Sequence, residues 1–516
     1  MKVLGIVLVF LLGAAATLGA TTTKTTTTIS SSLNPSIYGQ AVTFTAKVNP
    51  APQNGEIITF TQGPNTLGTG TLSGGSASFT ISTLTTGGTE TIKARYAGDS
   101  TLSSSSATVG QVVDAASTTT SLISSANPIN NGQSVTFTAA VSPQFIGPVT
   151  GNVAFYNGST KMRTLSLSNG SVSYTTTLKT GTDSITAVYK GTSSFLASTS
   201  NAVSQAIEEG TFYNETMTWY NVTRYYEVYV PAVLPPSPPM LLMLHGTRYG
   251  APPAYNPSTI NWGWQSEADL NEFILVQPAS SYSDNNWNWN SYFMDASFDA
   301  ASSGTCTSPP ATSCPDDAGF LRQLILNLTT QYNVNPNMIF VTGMSSGAQM
   351  AERVGVEISD LVAAIAPTSG QMEGQQAAPP PVLVPGNAVA PISVQEWHGT
   401  EDTELPPCNY GTTVYAGVTY YLDTVDDTFN YWVGQNQCST LQTTQTLCTD
   451  GAATPNLSGN IATGCTGNNI EVQFIWEPNT GHSWVESNNA SRWAFLSSHP
   501  KTPSNGSSRG TERMQK

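Results

Sequence analysis

The sequence predicts two all-β sandwich domains followed by an α/β domain with a mostly parallel sheet. Three observations predict this order. Residues 21–207 contain a unit rich in Thr and Ser that returns after 93 positions. From about Thr211 onward, continuous apolar runs alternate with helical patterns, which is typical of parallel sheets covered by helices. All six cysteines also lie in this C-terminal part of the chain.

The overall composition is acidic and contains few charged residues. The chain has 516 residues, of which 10% are charged, and its formal net charge is −15. The usual charged fraction is about 25%, and Ser, Thr, Asn and Gly fill the difference, as in secreted β-rich proteins. A net negative charge without a basic cluster argues against nucleic acid or an anionic membrane as a partner. The length allows about three domains at roughly 100–200 residues each.

The N-terminus is interpreted as a signal peptide over residues 1–20. Lys2 precedes an apolar run, and the small residues from Ala14 to Ala20 offer cleavage sites. A retained membrane anchor is the alternative, because the run is nearly long enough to span a bilayer. The run ends in Gly and Ala without a basic stop, which favours cleavage. We therefore expect a secreted protein, and we expect the polar tail 499–516 to be disordered.

The two repeats cover residues 21–114 and 115–208. Asn34-Pro35 before GQAVTFTAKVNP returns as Asn127-Pro128 before GQSVTFTAAVSP. Short alternating runs such as VTFTAKV place one face on a core, and several such strands in about 93 residues are typical of a β-sandwich. The copies resemble the bacterial Ig-like repeats that occur in tandem on exported proteins. They contain no Cys and no aromatic row, so we interpret them as spacers rather than substrate-binding modules.

The third domain, residues 209–498, has the pattern of an α/β fold. Its strand-like apolar runs cover 239–246, 273–278, 337–343, 361–367, 392–399 and 471–476. Between two of them, an apolar stripe with helical spacing is formed by Phe320, Leu321, Leu324, Ile325 and Leu328. Asp316 and Asp317 precede this stripe and are expected to cap the N-terminus of the helix. Strands alternating with helices predict a mostly parallel sheet.

A G-x-S-x-G match, Gly343 to Gly347, has Ser345 at its centre. A second match, Gly506 to Gly510, lies in the polar tail, so the pattern alone proves nothing. Ser345 follows a buried-type strand and precedes a helix-competent run. That setting is typical of a nucleophile elbow, in which flanking glycines let the chain turn sharply and expose the serine hydroxyl. The sequence therefore predicts Ser345 as a catalytic nucleophile.

A serine hydroxyl needs a base, and the chain has four histidines. His482, in NTGHSW directly after the last strand, is the predicted base. The other three begin an early turn, end a later strand, or lie in the run towards the tail: His245, His398 and His499. Asp402 in HGTED lies between the serine and His482, and the order Ser, Asp, His is that of α/β-hydrolases. Asp402 is the predicted carboxylate, and the adjacent Glu401 is its alternative.

The backbone N–H groups of Ser346 and Thr247 are the predicted oxyanion hole. The first follows the nucleophile, and the second lies in the loop after an early strand, where such a donor is expected. Four aromatic residues are candidates for substrate binding, with packing as the alternative: Trp287, Trp289, Tyr292 and Trp484.

The cysteines are expected to form disulfides, because their number is even and the chain is exported. A short loop closed by Cys306 and Cys314 is plausible, and Cys438 could pair with Cys448 or Cys465. No C-x-x-C pair is present, so we expect no zinc site.

Seven motifs together carry a family resemblance. They are HGT at 245–247, WNWN at 287–290, DDAGFLRQLI at 316–325, VTGMSSGAQMA at 341–351, HGTED at 398–402, GHSW at 481–484 and RWAFLSSHP at 492–500. In this order they resemble the secreted feruloyl esterase and polyhydroxybutyrate depolymerase-like α/β-hydrolases, related to carbohydrate esterase family one. The resemblance implies a Ser–Asp–His esterase without metal or cofactor, mapped onto Ser345, Asp402 and His482.

Two features depart from this family. Ala348-Gln349 follows the nucleophile turn where relatives often carry another Gly, and an insertion of about 65 residues separates HGTED from the last strand. The expected function is hydrolysis of an ester-bearing polymer, first of all feruloyl or acetyl esters of plant polysaccharide. A polyhydroxyalkanoate depolymerase is the alternative. A surface adhesin with an inactive hydrolase fold is the alternative from another class.

Overall fold

The computed structural model describes most of the chain, and its contacts divide the chain into two compact units. The described residues are 22–145, 147, 149–249, 262–283, 286–289, 316–374, 388–408, 411–415, 418–422, 424–442, 448–449, 452–455, 459–467 and 469–502. The N-terminal unit comprises 1–126, 135–176 and 182–205, and the C-terminal unit comprises 127–134, 177–181 and 206–516. The predicted signal peptide and the end of the polar tail lie outside the described residues.

The first repeat is a sandwich of two sheets. Its strands are β1 (Thr26–Ser31), β2 (Ser36–Ile37), β3 (Val42–Asn49), β4 (Ile57–Gln62), β5 (Asn65–Thr71), β6 (Ser76–Ile81), β7 (Thr89–Tyr96) and β8 (Ser105–Asp114). One sheet has the order β1-β3-β6 and the other β2-β8-β7-β4-β5. In β3, Val42, Phe44, Ala46 and Val48 are buried and alternate with hydroxyl or charged side chains. The alternation predicted from VTFTAKV is therefore confirmed.

The second repeat has the same plan. Its strands are β9 (Thr118–Ser124), β10 (Ile129–Asn130), β11 (Ser134–Pro143), β12 (Asn152–Asn157), β13 (Thr160–Ser166), β14 (Ser171–Thr177), β15 (Gly181–Tyr189), β16 (Ser198–Thr199) and β17 (Val203–Glu208). One sheet has the order β14-β11-β9, and the other has β10-β17-β15-β12-β13 with β16 beside β15. Here β11 buries Val135, Phe137, Ala139 and Val141, as β3 does in the first repeat.

A ten-stranded sheet forms the centre of the C-terminal unit. Its strands are β18 (Thr211–Trp219), β19 (Val222–Val230), β20 (Met240–Leu244), β22 (Ile274–Pro278), β25 (Ile339–Met344), β26 (Ala364–Thr368), β28 (Ser393–Gly399), β31 (Thr440–Leu441), β34 (Asn460–Thr463) and β35 (Val472–Glu477). Shorter strands are β21 (Arg248–Tyr249), β23 (Ser281–Ser283), β24 (Asn286–Asn288), β27 (Glu373–Gly374), β29 (Gly411–Tyr415), β30 (Val418–Leu422), β32 (Cys448–Thr449) and β33 (Ala452–Pro455). The strand order in the large sheet is β18-β19-β22-β20-β25-β26-β28-β35-β34-β31.

The expectation of a mostly parallel sheet applies only to the centre, and the sheet as a whole is mixed. The strands from β22 to β35 in this order run parallel, whereas β18, β19, β34 and β31 pair antiparallel at the two edges. The β18–β19 hairpin turns at Tyr220 and Asn221, which both have positive φ, 45° and 63°. Tight hairpin turns favour such angles and usually recruit Gly. A Tyr-Asn turn therefore gave no signal in the sequence.

Helices cover both faces of the large sheet. They are α1 (Trp264–Asn271), α2 (Asp317–Gln331), α3 (Ser346–Glu357), α4 (Val425–Gln435) and α5 (Asn489–Ser498), with a 3₁₀ turn at Glu486–Asn488. Alternate residues of β20 enter different clusters: Leu242 packs with the apolar residues of α2, α3 and α4, while Leu241 packs with those of α1 and α5. Because side chains alternate across a strand, the two clusters lie on opposite faces of the sheet.

The start of α2 confirms half of the capping expectation. Asp316 caps the helix, since its carboxylate accepts a hydrogen bond from the Gly319 amide at 2.8 Å. Asp317 lies inside the helix instead and pairs with the Arg224 guanidinium of β19 at 2.6 Å, with both side chains buried. It thereby ties α2 to the sheet.

Two disulfides lie in the insertion that precedes β35. Cys438 pairs with Cys465, one of the two partners left open by the sequence, and Cys408 pairs with Cys448. The suggested Cys306–Cys314 loop lies outside the described residues. In the described ranges, no helix is long and apolar enough to cross a membrane.

Candidate active site

Ser345 occupies a strained turn between β25 and α3. Its φ and ψ are 57° and −125°, a region that residues with a Cβ rarely adopt and that is often retained at functional sites. The two glycines of the motif are sterically required. A Cβ on Gly343 would clash with the carbonyl of Gly347, and a Cβ on Gly347 would clash with the carbonyl of Leu244. This explains the G-x-S-x-G spacing in physical terms.

The HGT turn after β20 lies against the nucleophile turn. A Cβ built on Gly246 would be only 3.2 Å from Cβ of Ser345. Thr247 Oγ1 donates a hydrogen bond to Ser346 Oγ at 3.2 Å, so the two predicted oxyanion residues are adjacent. His245 Nδ1 donates to the Gly246 carbonyl at 2.6 Å, and its Nε2 accepts from the Ser280 amide at 3.0 Å. His245 therefore holds the turn.

Asp402 and His482 form a hydrogen-bonded pair. His482 Nδ1 donates to Asp402 Oδ2 at 2.8 Å, and the Asp402 side chain is fully buried. The other oxygen, Oδ1, accepts from the backbone amides of Glu404 and Leu405 at 3.0 and 2.9 Å. The alternative carboxylate, Glu401, is exposed.

A second histidine contacts the same carboxylate. His398 Nε2 lies 3.3 Å from Asp402 Oδ2 and 2.9 Å from the Leu405 carbonyl, so its N–H points between these two acceptors. Burial opposes ionisation of Asp402, but hydrogen bonds from His398, His482 and the Leu405 amide more than offset burial and hold the pKa of this carboxyl well below its ordinary value. Asp402 is therefore a carboxylate near neutral pH.

The parallel strands bring the three predicted catalytic residues to one edge of the sheet. Ser345 follows β25, Asp402 follows β28 and His482 follows β35, and carboxyl ends of parallel strands share an edge. The structure joins Asp402 to His482, and it joins Ser345 to the HGT turn. Within the described residues, no hydrogen bond links Ser345 to His482.

A further carboxylate lies near His482 on the solvent-exposed side chain of Glu404. Glu404 Oε2 is 3.9 Å from His482 Nε2, and the Glu404 side chain is 73% exposed whereas that of His482 is 11% exposed. Sequence reasoning missed this residue, because an acidic side chain in an exposed loop has no pattern that marks it.

A stack of aromatic rings around one guanidinium fixes the segment that follows β35. The Arg492 guanidinium carbon lies 4.5 Å from the Trp397 ring centre and 4.2 Å from that of Trp484. Trp262 stacks with Trp484, with 5.4 Å between the two ring centres. Arg492 also pairs with the Glu477 carboxylate at 2.7 Å. Trp484, a predicted substrate-binding residue, thus packs in this stack two positions after His482.

The remaining aromatic candidates differ in how far the structure describes them. Trp289 is buried, and its Nε1 donates to the His245 carbonyl at 2.8 Å, so it supports the HGT turn. The Trp287 side chain and Tyr292 lie outside the described residues. Over the described ranges, no group of three or more His, Cys, Asp or Glu is arranged to hold a metal ion. The expected lack of a metal stays a prediction.

The fold and the site together define the class of this protein: an esterase-type hydrolase fold that follows Ig-like modules. A strained serine turn follows a central strand of a helix-covered sheet, and a buried Asp–His pair follows two later strands. Residues 26–114 and 122–208 match the family description "Bacterial Ig-like domain (group 3)".

Relatives named as esterases or as a depolymerase match the chain over part of its length. A bifunctional acetylxylan esterase/xylanase of Neocallimastix patriciarum is 27% identical over 34% of this chain and 21% of its own length. Poly(3-hydroxyalkanoate) depolymerase C of Paucimonas lemoignei is 23% identical over 37% of this chain and 47% of its own. A probable acetylxylan esterase A of Aspergillus flavus is 26% identical over 49% of this chain and 81% of its own length. The chain therefore spans less than half of the first two relatives.

One solved structure is similar to part of the chain at low sequence identity. The acetyl xylan esterase from Aspergillus awamori is 16% identical, with a TM-score of 0.34, and the match covers 56% of this chain and 100% of that one.

Proposed function

We propose that this protein is a secreted serine esterase that hydrolyses carboxylic esters. The observation that carries the proposal is the 2.8 Å hydrogen bond from His482 Nδ1 to the buried Asp402 carboxylate, at the sheet edge where Ser345 occupies its strained turn. A histidine whose Nδ1 donates to a buried carboxylate keeps its Nε2 free to accept a proton, and this is what a serine nucleophile requires.

The proposed reaction is acyl transfer in two steps. His482 Nε2 takes the proton of Ser345 Oγ while this oxygen attacks the ester carbonyl, and His482 then gives the proton to the leaving alcohol. The N–H groups of Ser346 and Thr247 stabilise the negative charge on the carbonyl oxygen. Water, activated in the same way, releases the acid from Ser345. Catalytic hydrogen bonds are often long before substrate binds, so we propose that the contact between Ser345 and His482 forms in the substrate complex.

The proposed substrates are feruloyl or acetyl esters of plant cell-wall polysaccharide. Support comes from the relatives, several of which are named acetylxylan esterases. A polyhydroxyalkanoate depolymerase is the second candidate, because another relative carries that name. Spacer modules in front of a hydrolase are consistent with an insoluble polymer as the substrate. The N-terminal segment 1–20 is the proposed export signal.

Replacement of the nucleophile tests this proposal directly. With p-nitrophenyl acetate we expect Ser345→Ala to lower kcat/KM by about a thousandfold or more, with an unchanged circular dichroism spectrum. Ser508→Ala, in the second G-x-S-x-G match, is the matched control and should keep full activity. Equal inactivity of the wild type and Ser345→Ala would favour the adhesin alternative instead.

A substrate panel separates the two candidate substrate classes. Methyl ferulate, acetylated xylan and hydroxybutyrate oligomers should be compared by kcat/KM, and we expect one of the first two to be preferred. In the same series, the isolated fragment 21–207 should bind neither xylan nor polyester granules if the repeats are spacers.

A further inference from the structure

The carboxylate of Glu404 lies beside the nitrogen that moves the proton in the proposed reaction. Its Oε2 is 3.9 Å from His482 Nε2. The Glu404 backbone amide donates to Asp402 Oδ1 at 3.0 Å, so the main chain at this position is held by the buried carboxylate itself. Among the described residues, no Lys or Arg pairs with the Glu404 side chain. An exposed carboxylate that no described Lys or Arg neutralises therefore lies beside His482.

The position of the Glu404 carboxylate beside His482 Nε2 determines which part of the ester it would meet. In acyl transfer, the histidine gives its proton to the oxygen of the leaving alcohol. The alcohol part of the substrate must therefore pass next to His482 Nε2, whereas the carbonyl oxygen points towards the amides of Ser346 and Thr247. Glu404 thus faces the alcohol part rather than the oxyanion.

We propose that Glu404 determines specificity by selecting against esters whose alcohol part carries a negative charge. The inference rests on the proposed esterase activity and refines it. Neutral sugar alcohols are accepted, whereas an alcohol with a carboxylate close to the ester oxygen is repelled. A hydroxyalkanoate oligomer cut near its free carboxyl end would release such an alcohol, and so would a uronate unit. The net charge of −15 acts in the same direction over a longer range.

Two aryl acetates that differ only in charge measure this selection. p-Acetoxybenzamide and p-acetoxybenzoate share the acetyl group and the aryl ring, and the second carries a carboxylate on the leaving alcohol. The readout is the ratio of kcat/KM for the neutral ester to kcat/KM for the charged ester. Comparing this ratio between variants cancels the intrinsic reactivity of the two esters.

Substitution of Glu404 should change this ratio in a fixed direction. Glu404→Gln removes the charge, and for like charges about 7 Å apart at an exposed site we expect the ratio to fall about fivefold. Glu404→Lys should lower it further, because repulsion becomes attraction. Glu404 is largely exposed, so both variants are expected to fold. Raising the ionic strength from about 0.01 M to about 0.5 M should lower the ratio of the wild type more than that of Glu404→Gln.

Glu401 provides the matched control. It is an exposed Glu of the same loop, so Glu401→Gln removes one charge at a similar position in the chain without touching His482. Its ratio should equal that of the wild type. If Glu404→Gln and Glu401→Gln lower the ratio equally, the selection comes from overall charge and the inference is wrong.

The outcomes for the inference and for the esterase activity are distinct. If the wild type hydrolyses both esters, Ser345→Ala does not, and the ratio is insensitive to Glu404, the esterase proposal stands and the role of Glu404 is refuted. If the wild type hydrolyses neither ester, the esterase proposal itself fails.

Discussion

At the scale of single residues, Asp402 is the side chain that connects most of the groups of the candidate site. Its two carboxylate oxygens contact the imidazoles of His482 and His398 and accept from the amides of Glu404 and Leu405. Such a set of donors stabilises a buried charge that would otherwise be unfavourable. We interpret His398 as a positioning residue, because it contacts Asp402 and acts on the proposed reaction only through it.

Removal of the His398 ring should weaken both activity and acid stability. For His398→Leu we expect kcat/KM for p-nitrophenyl acetate to fall about tenfold, because a hydrogen bond to a charged group contributes roughly 1.5–3 kcal/mol. His398→Gln, which keeps an N–H donor, should recover part of this loss. Equal losses in the two variants would mean that His398 acts through packing alone.

The acid stability follows from the pKa of Asp402. This pKa is lowered in the folded state, so the ionised carboxylate stabilises the fold above the pKa of an unfolded Asp, and this contribution is lost as pH falls through the folded-state pKa. Without His398 the folded-state pKa rises towards the ordinary value. Urea unfolding at about pH 7 and about pH 2 should therefore show a smaller free-energy difference for His398→Leu than for the wild type.

The sequence could predict part of the candidate site, and the limit is set by loop conformation. Ser345 has a pattern with a steric cause, and Asp402 and His482 follow predicted strands in a known order. The structure joins the last two, while the assignment of all three remains a proposal. Neither the contact between His398 and Asp402 nor the position of Glu404 could be predicted, because both depend on how the HGTED loop folds back on itself.

At the scale of elements, α3 carries a buried carboxyl in the helix that follows Ser345. Glu352 is fully buried, and its Oε2 accepts from Trp432 Nε1 of α4 at 2.6 Å. Burial raises its pKa to about 8. Glu396 of β28 is also buried, and burial together with the charges of Glu352 and Asp426 raises its pKa well above its ordinary value. The helix after Ser345 is thus fixed through a buried carboxyl whose neutral form is favoured by burial.

This buried acid predicts a loss of stability in mildly alkaline solution. Because the folded-state pKa of Glu352 lies above its ordinary value of 4.5, its contribution to stability is fully present below that value and is lost as pH rises through about 8. Between about pH 5 and about pH 9, we expect the free energy of unfolding of Glu352→Gln to fall by on the order of 2 kcal/mol less than that of the wild type. Denaturant unfolding across this range measures it. Parallel pH curves for wild type and variant would contradict the interpretation.

The elements also show where pattern reading fails. The central strands were visible as apolar runs because they are buried on both faces, as in β20 and β25. The edge hairpin β18–β19 was missed. None of the nine residues of β18 is buried: six are exposed and three are half-buried. Pairing with β22, which is distant in sequence, fixes β19 in the sheet.

At the scale of the whole molecule, the two units rely on different sources of stability. The repeats contain no cysteine and are stabilised by alternating apolar residues in each sandwich. All six cysteines lie between residues 306 and 465. The two described disulfides join residues 40 and 27 positions apart, and loops of this size stabilise a fold by about 3–4 kcal/mol each in the chain-entropy account.

Reduction should therefore destabilise the C-terminal unit selectively. In differential scanning calorimetry with and without a phosphine reductant, we expect the transition of the C-terminal unit to fall by roughly 10 °C. The transition of the N-terminal unit should not move, which makes it an internal control. Because the reductant also reaches Cys306 and Cys314, the double variants Cys408→Ser/Cys448→Ser and Cys438→Ser/Cys465→Ser assign the effect to each bridge. A shift of the cysteine-free transition, or no shift in either double variant, would show that these bridges do not stabilise the fold in this way.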